Sequence, residues 1–487
     1  MYKIIARMPN CNPSGLEIFV PDTQNTWNKS KVQHAHRRLG FSTSSLTINS
    51  ALSSTPSAYI DGLITDAIAL GAMAAPSWSN MSESDYADIN NEIPIQQEEL
   101  ALHFVDDMLE NGLRGRFTLF WHNHFVTRLE DYRCPSWMYN YYQTLHVYAF
   151  GNFKSFVSTI GTTPAMLVFL NGFQNAAAEP NENYARELLE LFTLGVNNGY
   201  TQTDIVNISR ALTGYTGYTE YCASLSFNSD DFDTEDKTIF DQTGNWGYDD
   251  VIDILFEERG DLIATYICSK IYAHFVSPEI NETIVSQLAA TFTTNNFELE
   301  PVYRQLFKSN HFFDSMVIGT IVKSPYDGFI AFVIETKFEF PNDFKGALIR
   351  FSGEIGQDIF NPTDVAGWQG NHEWINSSTL LGRWQLYEYY LWIIWNDYRE
   401  QLRIFAIGLS SDTETDPAVI ARNIIDHFIS SGLETQADYE IATVVLKNQV
   451  PQNYFDNNLW NLQWESAPYQ VLALLFHITK IPSFQLK

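Results

Sequence analysis

Four stretches of this sequence combine residue types and spacings that can do chemistry. The first is Phe120-Trp121-His122-Asn123-His124-Phe125. Two histidines separated by one residue are a common metal-ligand spacing on a strand, where both rings point to one side. The flanking pattern is helical, however, and residues two apart on a helix diverge by about 200°. One imidazole at a time can then face a given site. His122 and His124 are candidate metal ligands, and a structural, hydrogen-bonded histidine is the competing reading. The letters match the name of a nuclease motif, but the rest of that motif is missing.

The second stretch is Pro180 to Glu190. On a helix Asn183, Glu187 and Glu190 share a narrow strip, with Glu182 and Arg186 as an i,i+4 pair beside it. Carboxylates three apart on one face can bind a metal or act as paired acid and base. Glu187 and Glu190 are therefore catalytic candidates, and Asn183 and Arg186 ligand-binding candidates, against the alternative of a solvated helix face. Third, Arg210 closes the next helix, where it can clamp those carboxylates or an anion, or simply complement the helix dipole. Fourth, the loop from Gly356 to Asn376 carries Gln357, Trp368 and Trp374 among Gly and Asn. Two tryptophans there suit stacking on a flat apolar or sugar face, or pinning of the loop to the core.

Helices must position all four. Helical periodicity runs through 31–39, 56–75, 100–128 (bent near Gly112 and Gly115) and 139–160. Thr163-Pro164 reads as an N-cap and first turn of a short helix that stops at Gly172. Asn181 caps a helix over 182–194 that Gly195 closes, and Thr201 with Asp204 forms a capping box for a helix ending at Gly214. Residues 215–248 lack a helical period and read as a long loop or small hairpin excursion. Helices resume over 249–258, 261–276, 281–293 and 301–309, and again over 379–409, 417–433, 438–448 and 467–478. The fold class expected is all-α, with long polar loops and little or no β. Residues 1–30 form an irregular arm. Residues 31–487 form one large helical domain, or two packed subdomains (31–214 and 249–487) joined by the 215–248 excursion.

Composition narrows the ligands. Acidic residues outnumber basic ones 58 to 29, a formal charge of −29. Nucleic acid and anionic membrane surfaces are repelled, since phosphate binding needs clustered Lys and Arg. Cations, metal ions and neutral polymers such as glycans stay open. No run of eighteen apolar residues exists, so no membrane insertion is expected. The start of the chain lacks an apolar run of signal-peptide length, which makes a cytoplasmic location the default. A composition rich in aromatic and uncharged polar residues favours an extracytoplasmic or cell-surface location instead. Cys11, Cys134, Cys222 and Cys268 are far apart, and buried free thiols are preferred over disulfides. No phosphate-binding loop, dinucleotide fingerprint, nucleophile elbow or H-E-x-x-H helix is present.

Several longer strings resemble a known family. FWHNHFVT at 120–127, FGNFKSFV at 150–157, TTPAMLVFLNG at 162–172, NENYARELLELFTLG at 181–195 and SRALTGY at 209–215 are similar to the bacterial domain-of-unknown-function family 1800. So are WNKSKVQHAHRRLGF at 27–41, ICSKIYAHFV at 267–276 and FNPTDVAGWQGNHEWINSSTLLGRW at 360–384. The resemblance implies no established activity. It implies a sulfatase-like neighbour product as a partner, and export for many relatives. Where relatives carry His-Asp ahead of the lysine matching Lys237, this chain has Phe232-Asp233.

Two functions follow as expectations. One is a metal-assisted hydrolase-type enzyme using a divalent ion, with His122, His124, Glu187, Glu190 and Arg210 in one partly buried cluster. The other is a non-catalytic binding or surface-assembly protein that uses the Trp368 and Trp374 loop on a polymeric or glycan ligand.

Overall fold

The computed structural model describes residues 14–341 and 343–487. Helices take 60% of the chain and strands 4%, which places it in the all-α class. Cys11 and the start of the expected N-terminal arm lie outside the described residues. From residue 14 to Asn28 the chain is irregular, although Leu16 and Phe19 are buried. One contiguous apolar cluster draws its members from Leu16 through to Phe484.

The helix starts follow from side chains that satisfy the first free amides. Thr163 accepts from the Met166 amide with Pro164 in the first turn, and Thr201 and Asp204 form a reciprocal capping box. Gly195, with φ +92°, ends the segment after Thr193 in the left-handed conformation that favours glycine.

Several expected helices have different extents. The long one expected over 100–128 is two, Ile89–Glu110 and Gly112–His124, broken at Asn111. Gly115 lets them cross closely: a Cβ there would stand 3.2 Å from the Met108 Cα. The 139–160 pattern divides into Pro135–Tyr148 and Phe153–Gly161, because Asn152 caps the second helix by accepting from the Ser155 amide. Conversely, 249–276 is one continuous helix, Tyr248–Phe275. The helices Ser45–Ala51, Pro325–Thr336 and Phe344–Glu354 were not expected. Pro325–Thr336 is buried on nearly every side, so it has no polar face and no legible period.

The 215–248 excursion folds into two small antiparallel hairpins, Tyr215–Thr216 with Ser226–Phe227 and Lys237–Ile239 with Gln242–Gly244. Phe240 and Asp241 both take positive φ at the second turn, as a tight two-residue hairpin requires.

The cysteine expectation is corrected. Cys134 and Cys222 form a disulfide, with Cα atoms 5.0 Å apart, and Cys268 is a buried free thiol. The pair is 88 residues apart in sequence, so only the fold-back of the excursion onto the start of the Pro135–Tyr148 helix brings them together. Among the described residues no helix is long and apolar enough to cross a membrane. Reducing Cys134–Cys222 is expected to cost about 2–4 kcal/mol of stability. Guanidinium unfolding with and without reductant measures this, and coincident midpoints would contradict it.

Candidate functional site

The helix Gly112–His124 ends in three polar residues, of which His122 and Asn123 meet the Trp368 loop and His124 the Phe192 carbonyl. His122 is fully buried against the rings of Trp368 and Phe360, with centroids 5.6 and 5.8 Å away. Neither of its ring nitrogens has a hydrogen-bond partner, and burial lowers its pKa to about 3, so the ring is neutral. Asn123 grips the opposite loop by its backbone: the Trp368 amide donates to Oδ1 (2.6 Å) and Nδ2 donates to the Trp368 carbonyl (3.1 Å). Gly367 makes that grip possible, since a Cβ there would fall 2.3 Å from Asn123 Oδ1. His124 Nε2 lies 3.0 Å from the Phe192 carbonyl oxygen and must donate to it. Its Nδ1 is then a bare acceptor with no partner.

These contacts bound a cleft of about 410 Å³. Expected site residues His124, Gln357, Trp368 and Trp374 line it. So do residues the sequence reading missed: Arg116, Asn123, Lys270, His274, Asp327 and Lys487. Gln357 is buried and accepts from the Tyr326 amide, and the indole Nε1 of Trp368 is buried without an acceptor. Asp327, the capping-box residue of the helix Pro325–Thr336, is the one Asp or Glu that lines the cleft among the described residues. It accepts from Arg116, from Lys487 Nζ at 2.6 Å and from the Ser324 amide at 2.9 Å. Burial alone would raise its pKa, but Arg116 and Lys487 hold it far below the usual carboxylate range. Arg116 is itself fixed by donating to the Gly40 carbonyl and lying over the Phe41 ring.

Lys270 differs from these, because no ion pair or hydrogen bond holds its ammonium among the described residues. Burial lowers its pKa. Burial also holds His124 and His274 well below the usual histidine value, with Lys270 adding to the effect at His124 and Lys487 at His274. Arg116 and Lys270, together with Lys487, whose pKa burial lowers to about 7, face one described side-chain carboxylate, Asp327, which makes the cleft positive in a strongly acidic chain.

The Glu187 segment lies next to this site through His124 but is built differently. Helix Asn183–Glu187 runs into a wide π-turn over Leu188–Thr193, in which the Leu194 amide donates to the Leu189 carbonyl, five residues back. Such turns recur at functional sites. Arg186 bridges Glu182 (2.9 Å) and Glu190 (3.4 Å). Glu187 is half-buried, and burial together with Glu190 raises its pKa against the opposing pull of Arg186. Asn183 accepts through none of these; its side chain donates to the Leu170 carbonyl. Arg210 does not join the carboxylates. It forms its ion pair with Asp233, at 2.7 Å. Neither His122 nor His124 lies within ion-pair distance of Glu187 or Glu190, and the two imidazoles share no partner. Among the described residues no group of three or more His, Cys, Asp or Glu is arranged to hold a metal ion. The residues present do not fit the divalent ion that their types and spacing suggested.

A buried neutral histidine carries a pH signature. Below 6.5 the unfolded chain takes up a proton that folded His122, with its pKa at about 3, refuses. Stability is therefore lost as pH falls from 6.5 toward that value, at about 1.4 kcal/mol per pH unit for each such group. His146, lowered to about 4 by burial, acts in the same sense. His122→Phe is expected to flatten the acid limb of stability by one proton. Urea unfolding as a function of pH measures it, and an unchanged slope would contradict the assignment.

No curated protein and no solved structure matches this chain. The family described as "protein of unknown function (DUF1800)" matches residues 34–486, nearly the whole length. The histidine end, the glutamate helix and the tryptophan loop all lie inside that span, and the chain belongs to this family.

Proposed function

We propose that this chain binds an acidic sugar unit, one carrying a carboxylate or a sulfate ester, in the cleft between the Gly112–His124 helix and the Trp368 loop. The observation that carries the reading is Lys270, a cation without a counter-ion beside unpaired polar atoms of opposite sense. Lys270 and the Trp368 N–H supply donors for the anionic group, and His124 Nδ1 accepts from a hydroxyl. Trp368 and Trp374, 5% and 8% exposed, line the cleft and add apolar surface against a sugar ring. The chain's −29 charge opposes densely charged polyanions. It therefore favours an isolated acidic group on an otherwise neutral glycan.

A second reading, catalysis in the same cleft, rests on His124. Its Nε2–H is committed to the Phe192 carbonyl, which leaves Nδ1 as an unpartnered acceptor, a neutral base weakened by the burial that lowers its pKa. We place the protein outside the cytoplasm, because the Cys134–Cys222 disulfide suits an oxidising compartment. Detection of the native protein only in the cytosolic fraction would contradict that placement.

Calorimetric titration with glucuronate, a sulfated monosaccharide and glucose tests the binding reading. Saturable binding is expected for the two anions and weak or no binding for glucose. Lys270→Met removes one charge-assisted contact and is expected to weaken the anions about tenfold or more. Equal affinity for glucose, or full affinity in the lysine variant, would overturn the proposal. His124→Gln separates the two readings: binding without turnover supports catalysis, whereas the absence of turnover in the unaltered protein removes that reading.

A further inference from the structure

A larger cleft, of about 840 Å³, shares no lining residue with the one above. Glu335, Phe338, Phe405, Gln401 and His427 stand in its wall. Glu335 is 4% exposed, and every donor it meets goes to one oxygen. Arg37 Nε at 2.8 Å, Arg37 Nη2 at 2.7 Å and Ser42 Oγ at 2.5 Å all converge on Oε1. Oε2 is buried and has no partner. His427, 1% exposed, lies with Nε2 2.9 Å from the Glu335 carbonyl oxygen, so Nε2 carries the proton and Nδ1 is left as a second bare acceptor.

Two buried acceptors without donors in one cleft wall are costly unless something supplies hydrogen. The surroundings say what kind of group that is. Of the four carboxylates that line the cleft, Glu335 is paired with Arg37 and Glu400 with Arg403, which leaves Glu339 and Asp397 against Lys337 and Arg399 and no excess of positive charge to repel a cation. The rings of Phe338 and Phe405 offer apolar faces, packed edge to face with centroids 5.6 Å apart. An ammonium group has three N–H donors and no acceptor, and it gains from aromatic faces. A carboxylate or phosphate would instead meet acceptors with acceptors.

We infer that this cleft is a binding site for a small primary amine, whose ammonium donates to Glu335 Oε2 and His427 Nδ1 while its alkyl chain lies along Phe338 and Phe405. The site is separate from the acidic-sugar cleft and stands or falls independently of it.

The test uses the whole chain with n-butylammonium chloride, and with n-butanol as the isosteric neutral control. Saturable binding of the amine is expected, with the alcohol at least tenfold weaker. Glu335→Gln places an amide where the free oxygen lies and is expected to weaken the amine by a further tenfold or more. That variant also removes the charge opposite Arg37 and can fail to fold. The second measurement therefore uses unaltered protein: the 15N resonance of His427 Nδ1 should move from a bare to a hydrogen-bonded position as amine is added. Equal binding of the alcohol would show an apolar cavity only and overturn the proposal. So would an unmoved Nδ1 resonance at saturating amine, which would mean that water already satisfies both acceptors.

Discussion

A carboxylate buried as completely as Asp327 can remain ionised only if opposite charge is held against it, and the candidate cleft is assembled around that requirement. Arg116 and Lys487 supply the charge, and they come from parts of the chain hundreds of residues apart. Breaking one side of such a network leaves an uncompensated buried charge, at a cost of about 3–5 kcal/mol. Arg116 also ties the Gly112–His124 helix to Gly40 and Phe41. Arg116, one of the two groups that neutralise the acid, therefore also fixes the helix whose last turn presents Asn123 and His124. Lys270 stands outside this network and lines the same cleft with no ion pair among the described residues.

The end of that helix shows how residue types alone can mislead about chemistry. Histidines two apart on a helix diverge, and here His122 packs into aromatic rings while His124 turns to the Phe192 carbonyl. The asparagine between them has the larger structural role, holding the Trp368 backbone from both sides. The carbonyl that receives His124 lies within the π-turn next to Glu187 and Glu190, so two of the four sequence stretches do meet, through a backbone atom instead of a shared ligand. Arg210 is drawn away by Asp233, a residue of the excursion whose position no local spacing reveals.

What was legible in the sequence follows from how far each determinant acts. Caps at Thr163, Thr201 and Gly195 act over three or four residues and could be read directly. The 215–248 excursion declared itself by losing the helical period. Pro325–Thr336 could not be read, because burial on all sides erases the pattern, although Ser324 and Asp327 form a capping box at its start. The Cys134–Cys222 pairing, the Asp327 network and the placement of Lys270 in the cleft depend on contacts across the chain, and none has a local signature. The charge count conceals more. Among the described residues nine Lys and Arg are buried against five Asp and Glu, so a strongly acidic chain has a basic interior. Net charge bears on the surface and says nothing about the cleft.

The claim that the rest depends on is that Arg116 and Asp327 act as one unit. A double-mutant cycle of Arg116→Met and Asp327→Leu, read by urea unfolding, addresses it directly. Each single change should destabilise by about 3–5 kcal/mol. The double change should cost less than the sum, with a coupling of about 0.5–3 kcal/mol, since it removes both charges together. Strict additivity would contradict the account, because it would mean that the two residues hold the cleft separately.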